Sequence, residues 1–122
     1  MENATVADLY ARACQQWREA VELDLHRSED IVYGLMPLLV QGLGHDPDHL
    51  PSLDLLSDML MEVGAYDEAV EYAEKMLDLA PDDADYKQKM AVLADEVDNR
   101  RRVVRVYLHQ KRLRLTKDAT SR

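Results

Sequence analysis

Residues 64–81 read GAYDEAVEYAEKMLDLAP, and this stretch decides the fold of the chain. Gly64 ends the apolar segment before it, Asp67 and Glu68 place negative charge on a first helical turn, and Pro81 stops the segment. Between these marks, apolar residues recur at three- and four-residue steps, as on one face of an α-helix: Tyr66, Ala69, Val70, Ala73, Met76, Leu77 and Ala80. The small alanines on this face predict that the helix packs closely between neighbouring helices.

The composition favours a single all-α domain. The 122 residues suffice for one core, Phe is absent, Gly and Pro are few, and residues that favour helices are abundant. Charges interrupt every apolar window, so we predict no membrane span, and charged residues within the first 25 positions leave no apolar core for a secretory signal. The single Cys14 excludes an intramolecular disulfide, which favours a cytoplasmic location. We expect one domain over residues 1–117 and a disordered C-terminal tail over residues 118–122.

Apolar periodicity and breaker residues predict about six helices. We expect them at residues 3–25, from Ser28 to Gly42 or Gly44, and at residues 51–63, 65–80, 84–97 and 100–115. The second helix is apolar on almost every side, so we expect it to be the most buried one. Pro37 in its interior predicts a kink or a split near residues 33–34. Asp98 and Asn99 are expected to separate the last two helices.

The charges are distributed unevenly along the chain. Residues 1–99 hold 6 Lys/Arg and 23 Asp/Glu, a net charge of −17, whereas residues 100–122 hold 9 Lys/Arg and one acid, a net charge of +8. The candidate contact residues of this basic segment are Arg101, Arg102, Arg105, Lys111, Arg112 and Arg114. Such a segment could bind nucleic acid or an acidic protein, or fold back onto its own acidic body. We favour packing onto the body, because the preceding helix needs a cover.

Two proline-containing turns, at Pro47 and Pro81, lie 34 residues apart. Residues 50–83 resemble a tetratricopeptide repeat, with Gly64, Tyr66 and Ala69 at the positions of its turn glycine, its aromatic and its small second-helix residue, and Pro81 at its closing proline. The resemblance weakens on both sides of this span. It implies stacked antiparallel helical hairpins in a right-handed superhelix, with one well-formed repeat between two degenerate ones.

In this family the first helices of the repeats line a groove that binds a peptide or a partner helix. The matching candidates are Asp54, Leu55, Asp58, Met61, Glu62, Gln88, Val92 and Asp95. These residues are acidic and apolar, so the expected ligand is a basic or amphipathic peptide or helix. Family members that bind the acidic C-termini of chaperones carry Lys, Arg and Asn at such positions. This sequence does not, and that ligand is not expected.

The resemblance therefore implies a non-catalytic protein-interaction module, such as an adaptor, an assembly factor or a chaperone-like protein. Two alternatives stay open: a nucleic-acid or ribosome-associated protein that uses the basic segment, and a self-associating subunit of a larger complex.

No residue pattern predicts a metal site, a cofactor or catalysis. His45 and His49 lie four residues apart with Asp46 and Asp48 between them, but Pro47 breaks the helix that would align them, and no third His or Cys is near. His26 and His109 are isolated and are predicted to lie at the surface or in turns. Cys14 has no evident partner base, and the chain has no Gly-rich phosphate loop.

Overall fold

The computed structural model describes the backbone of residues 4–120 and the side chains of residues 4–114. Within that range the chain forms six α-helices and no strand: α1 (Val6–Glu22), α2 (Glu29–His45), α3 (Leu50–Glu62), α4 (Tyr66–Leu79), α5 (Ala84–Leu93) and α6 (Val97–Thr120). The predicted all-α class is confirmed. The proposed disordered tail, residues 118–122, stays a prediction: residues 118–120 lie at the end of α6, and residues 121–122 lie outside the described residues.

Polar side chains fix the starts of several helices. The Thr5 hydroxyl accepts a hydrogen bond from the Asp8 backbone N–H, and the Asp8 carboxylate accepts one from the Thr5 N–H, which forms a capping box at α1. Asp83 accepts a hydrogen bond from the Tyr86 N–H and caps α5. Between α3 and α4, Gly64 has a φ of +81°, a left-handed conformation that glycine adopts without steric cost. The sequence thus sets these boundaries locally.

The helices stack as hairpins around α3. α1 packs on α2 and α3 on α4, the two hairpins meet through α2 and α3, and α5 packs on α4. Ala69 and Ala73 are buried on the face of α4, as the sequence predicts. The helix α6 packs on α5 and also crosses α3. Because α3 has neighbours on several sides, it is the most buried helix: Ser52, Leu53, Leu56, Ser57, Met59, Leu60 and Met61 are all inaccessible to solvent.

Two expectations for α2 are wrong. It is not the most buried helix, since Tyr33 and Val40 on its outer face are 43% and 49% exposed. The split expected as one of two outcomes at Tyr33–Gly34 is also wrong, because α2 continues as one helix through Pro37; the alternative, a kink, stays a prediction. Pro37 lies on the exposed face, so the Tyr33 carbonyl that loses its helical donor can bond to water instead.

The break between α5 and α6 comes earlier than predicted. α5 ends at Leu93 and α6 begins at Val97, so Asp98 and Asn99 lie in the first turn of α6 rather than in a loop. Asp95 marks the break, because its Oδ1 accepts a hydrogen bond from the Glu96 N–H at 2.7 Å and one from Asn99 Nδ2 at 3.2 Å. This side chain offers the backbone an alternative to the helical ladder.

Candidate interaction site

The acidic face of α3, formed by Asp54, Asp58 and Glu62, is covered by α6. These residues lie one helical turn apart, so their carboxylates form a row along one side of the helix. Lys111 Nζ of α6 lies 2.8 Å from Asp54 Oδ2 and 2.7 Å from Asp58 Oδ2, and Arg112 pairs with Glu62. The basic segment therefore folds back onto the body, as favoured from the sequence.

A buried lysine of α5 joins Asp54, Asp58 and Lys111 in one buried cluster of charges. The Lys89 side chain is 0% exposed, and its Nζ donates hydrogen bonds to Asp54 Oδ1 at 2.5 Å, to Ser57 Oγ at 2.6 Å and to the Asp54 carbonyl oxygen at 3.1 Å. Nζ also lies 2.8 Å from Asp58 Oδ1 in a second ion pair, although that oxygen accepts no hydrogen bond from the described residues. Two lysines from different helices thus neutralise the carboxylates of Asp54 and Asp58.

Burial and charge act against each other at this cluster. Burial by itself would raise the pKa of the Asp54 carboxyl, but the ammonium groups of Lys89 and Lys111 outweigh it and hold that pKa below its usual value. At Lys111, burial would lower the pKa, and the carboxylates of Asp58 and Asp54 raise it well above its usual value. At Glu62 burial prevails, and the pKa stays raised in spite of Arg112. Opposite charges therefore outweigh burial in the Asp54–Lys111 pair, whereas burial outweighs the charge of Arg112 at Glu62.

Apolar side chains anchor α6 next to these ion pairs. Val104, Tyr107 and Leu108 are buried in the same hydrophobic core as residues of α3, α4 and α5. Burial also raises the pKa of the Tyr107 phenol, whose hydroxyl donates to Asp85 Oδ1 at 3.5 Å. The residues of α6 that contact the body recur at helical spacing. Tyr107 and Leu108 follow Val104 by three and four positions, and Lys111 and Arg112 follow it by seven and eight. This is the pattern of one face of an amphipathic helix.

The other predicted groove residues are placed differently. Met61 is only 2% exposed and belongs to the core, so it does not lie on the groove surface. Leu55, Val92 and Asp95 are half-buried, and Asp95 holds the α5–α6 connection. Gln88 is exposed and lines an open cavity of about 370 Å³ with Tyr107, Gln110, Leu113 and Arg114. The eight predicted residues therefore do not form one open groove in this arrangement.

The predicted basic contacts divide into two sets. Lys111, Arg112 and Arg114 pair with the body, and Arg114 lies 3.2 Å from Asp85. The remaining three, Arg101, Arg102 and Arg105, are exposed. The nucleic-acid alternative stays a prediction that now depends on these three arginines.

Sequence reasoning missed Lys89, and one signal could have found it. Lys89 lies three positions after Tyr86 and four before Leu93, a spacing that places all three on one face of α5. A lysine on an inward face indicates a carboxylate beside it, but its position in the sequence does not identify Asp54 and Asp58 as the partners.

His26 lies in the turn between α1 and α2, one of the two places expected for it, but it is buried there and not at the surface. Its ring meets Trp17 edge to face at 6.3 Å, and neither ring nitrogen has a hydrogen-bond partner among the described residues. Burial, followed by the positive charges of Arg112 and Arg27, lowers the pKa of His26. The neutral imidazole is therefore the form that suits the folded chain.

No three His, Cys, Asp or Glu side chains of the described residues come together as they would around a metal ion. None of the described helices combines the length and the apolar character that crossing a bilayer requires.

The order of elements now matches a known repeat. Residues 52–85, which run from α3 through α4 to the start of α5, match the family model for the tetratricopeptide repeat. This segment is therefore similar to a tetratricopeptide repeat, as its residues predict. Neither the curated proteins nor the solved structures contain a match to the chain. The tetratricopeptide repeat implies a protein-interaction module in general terms, and its first helix, α3, is the one that carries the acidic face.

Proposed function

We propose that this protein is a non-catalytic interaction module that holds a basic amphipathic helix on the acidic face of α3. The observation that carries the proposal is the docking of α6, in which Lys111 and Arg112 pair with Asp54, Asp58 and Glu62. A helix of this chemistry therefore fits the surface, and α6 shows which contacts a partner helix must supply.

The contacts of α6 define the partner's recognition pattern. Val104, Tyr107 and Leu108 supply the apolar anchors, and Lys111 and Arg112 supply the cations one turn further along. Each anchor contributes roughly 1.5–3 kcal/mol when it is fully buried. An acidic peptide would instead place carboxylates against carboxylates, which supports the expectation that acidic chaperone tails are not ligands.

The resident α6 sets how strongly an outside helix can bind. A tethered segment competes at a high effective concentration, so a partner binds only to the fraction of molecules in which α6 has left. Weakening the docking of α6 should therefore raise the affinity for an outside helix. Reversing the two cations in the full chain, Lys111→Glu with Arg112→Glu, does this without changing the acidic face.

A labelled peptide with the sequence of residues 97–114 tests the proposal by fluorescence anisotropy. We expect it to bind the reversed full chain at least about tenfold more tightly than the wild-type chain, with an affinity that falls as salt is added. The matched control chain carries Arg101→Glu with Arg105→Glu, which reverses two exposed cations and should bind like wild type.

The control peptide carries the two reversed charges and should not bind any of the three chains. Equal binding of both peptides, or no binding of the unmodified peptide to the reversed chain, would refute the acidic face as a helix-binding surface.

A further inference from the structure

The connection between α5 and α6 is built differently from the other turns. Asp24 and Gly64 have positive φ angles of 58° and 81° at the ends of α1 and α3, and Pro47 and Pro81 follow α2 and α4. By contrast, residues 82–122 contain neither Gly nor Pro. Ala94, in the connection, has an ordinary negative φ of −86°. Apart from the Asp95 side chain, the local sequence therefore holds no residue that enforces this break.

Tertiary contacts hold the break in place. Lys111 and Arg112 tie α6 to α3, and Val104, Tyr107 and Leu108 bury the same side of α6 in the core. Without these contacts, residues 84–120 could form one continuous helix of roughly 55 Å, at about 1.5 Å per residue. Straightening would carry α6 away from its own α3 and leave the acidic face open.

An open chain by itself loses the buried anchors, leaves Glu62 without Arg112 and leaves Lys89 as the remaining cation beside Asp54 and Asp58, so it is disfavoured in isolation. A second copy of the chain removes this loss, because its α6 supplies the same anchors and the same cations to the vacated face. Every contact of α6 with α3 is then remade between chains, which is the low-cost route to a dimer that exchanged elements provide.

We propose that two copies of this protein exchange α6, with α5 and α6 straightened into one helix and each α6 seated on the acidic face of the other copy. The exchange rests on the proposed function, since the same surface holds the helix, and it names the partner as a second copy of the chain. The dimer is symmetric, with the same contacts made in both directions.

A proline at the first position of α6 separates the two arrangements. In the monomer, where α6 lies on its own α3, Val97 is 78% exposed and is the first residue of α6. Proline is tolerated at this position, since its missing N–H and its fixed φ both suit the first residue of a helix. In a continuous helix, proline at this position removes the bond to the Leu93 carbonyl and clashes with it. We therefore expect Val97→Pro to raise the dimer dissociation constant at least about a hundredfold.

Two further variants serve as a control and as a test in the opposite direction. Val97→Ala removes the same side chain without constraining the backbone and should dimerise like wild type. Asp95→Ala removes the carboxylate that accepts the Glu96 and Asn99 N–H groups and should increase the dimer fraction. Light scattering coupled to size exclusion, from about 10 μM to about 1 mM chain, measures all four proteins. The exchange is overturned if the wild-type chain and the Asp95→Ala chain both stay monomeric over this whole concentration range.

Charge reversal at the Glu62–Arg112 pair shows whether the helix crosses between chains. Glu62→Arg alone and Arg112→Glu alone place like charges together, whereas a chain with both changes restores the pair internally. When the two single variants are unfolded together and refolded, an opposite-charge pair can form on both faces only if α6 is exchanged. We expect a heterodimer from the mixture, and none when both variants also carry Val97→Pro.

The outcomes distinguish this inference from the proposed function. A mixture that yields only the species seen for each variant alone overturns the exchange, and peptide binding to the reversed chain would then still support the helix-binding face. A heterodimer without peptide binding supports exchange and refutes recognition of an outside helix.

Discussion

Replacing Lys89 with methionine tests the energetic role of the buried cluster. The side chain keeps its length and apolar stem but loses the ammonium group, which makes three hydrogen bonds and an ion pair with Asp58 at 2.8 Å. Breaking a buried ion pair by removing one partner generally destabilises a protein by about 3–5 kcal/mol. Lys111 still neutralises Asp54 and Asp58 in the variant, so we expect a loss near the lower limit, about 3 kcal/mol.

Urea denaturation followed by circular dichroism measures this loss as a shift of the midpoint at unchanged slope. The matched control is Lys87→Met, two positions away on the exposed side of α5, which should change the free energy of unfolding by no more than about 0.5 kcal/mol. In the Lys89→Met protein, NMR titration should also show the pKa of Asp54 moving upward, because the largest favourable charge near it is gone. If Lys89→Met is as stable as Lys87→Met, the cluster does not stabilise the fold and the reasoning is refuted.

Three other substitutions test the turns and the buried imidazole. Gly64→Ala should lower the free energy of unfolding by about 1 kcal/mol, because the φ of +81° is unfavourable for alanine. Gly34→Ala should raise it by about 0.5–1 kcal/mol, because Gly34 lies in a helix and an added Cβ meets nothing within 4 Å. Thermal unfolding of both variants tests the two predictions. His26 binds protons less readily in the folded chain, so stability should fall as pH drops below about 6.5. His26→Gln should flatten this dependence, which urea midpoints between about pH 7 and about pH 5 measure.

The helical boundaries with local chemistry were predictable. Gly64 and Pro81 enclose α4, and its alanines mark the buried face, so the central repeat could be recognised from residues alone. The predicted position of the break after α5 was wrong. The break depends on the Asp95 side chain and on the docking of α6, and not on a glycine or a proline.

The arrangement of the acidic residues was predictable, but their contact was not. Asp54, Asp58 and Glu62 lie on one face of α3, as their spacing requires, and the chain's own basic helix α6 lies against them. That this helix belongs to the same chain could be considered from the charge asymmetry but not decided, because a net charge does not specify which surface it meets. Binding of an outside helix to this face stays a prediction.

The sequence by itself determined the helices, the central repeat and the opposite charges of body and C-terminal segment, because periodicity, breakers and charge are local properties of the chain. Only the tertiary structure decided that Lys89 is buried, that Met61 belongs to the core and that α6 closes the acidic face. These outcomes depend on contacts between residues more than 30 positions apart, such as Lys89 with Asp54 and Lys111 with Asp58, and no local pattern selects one such contact over another.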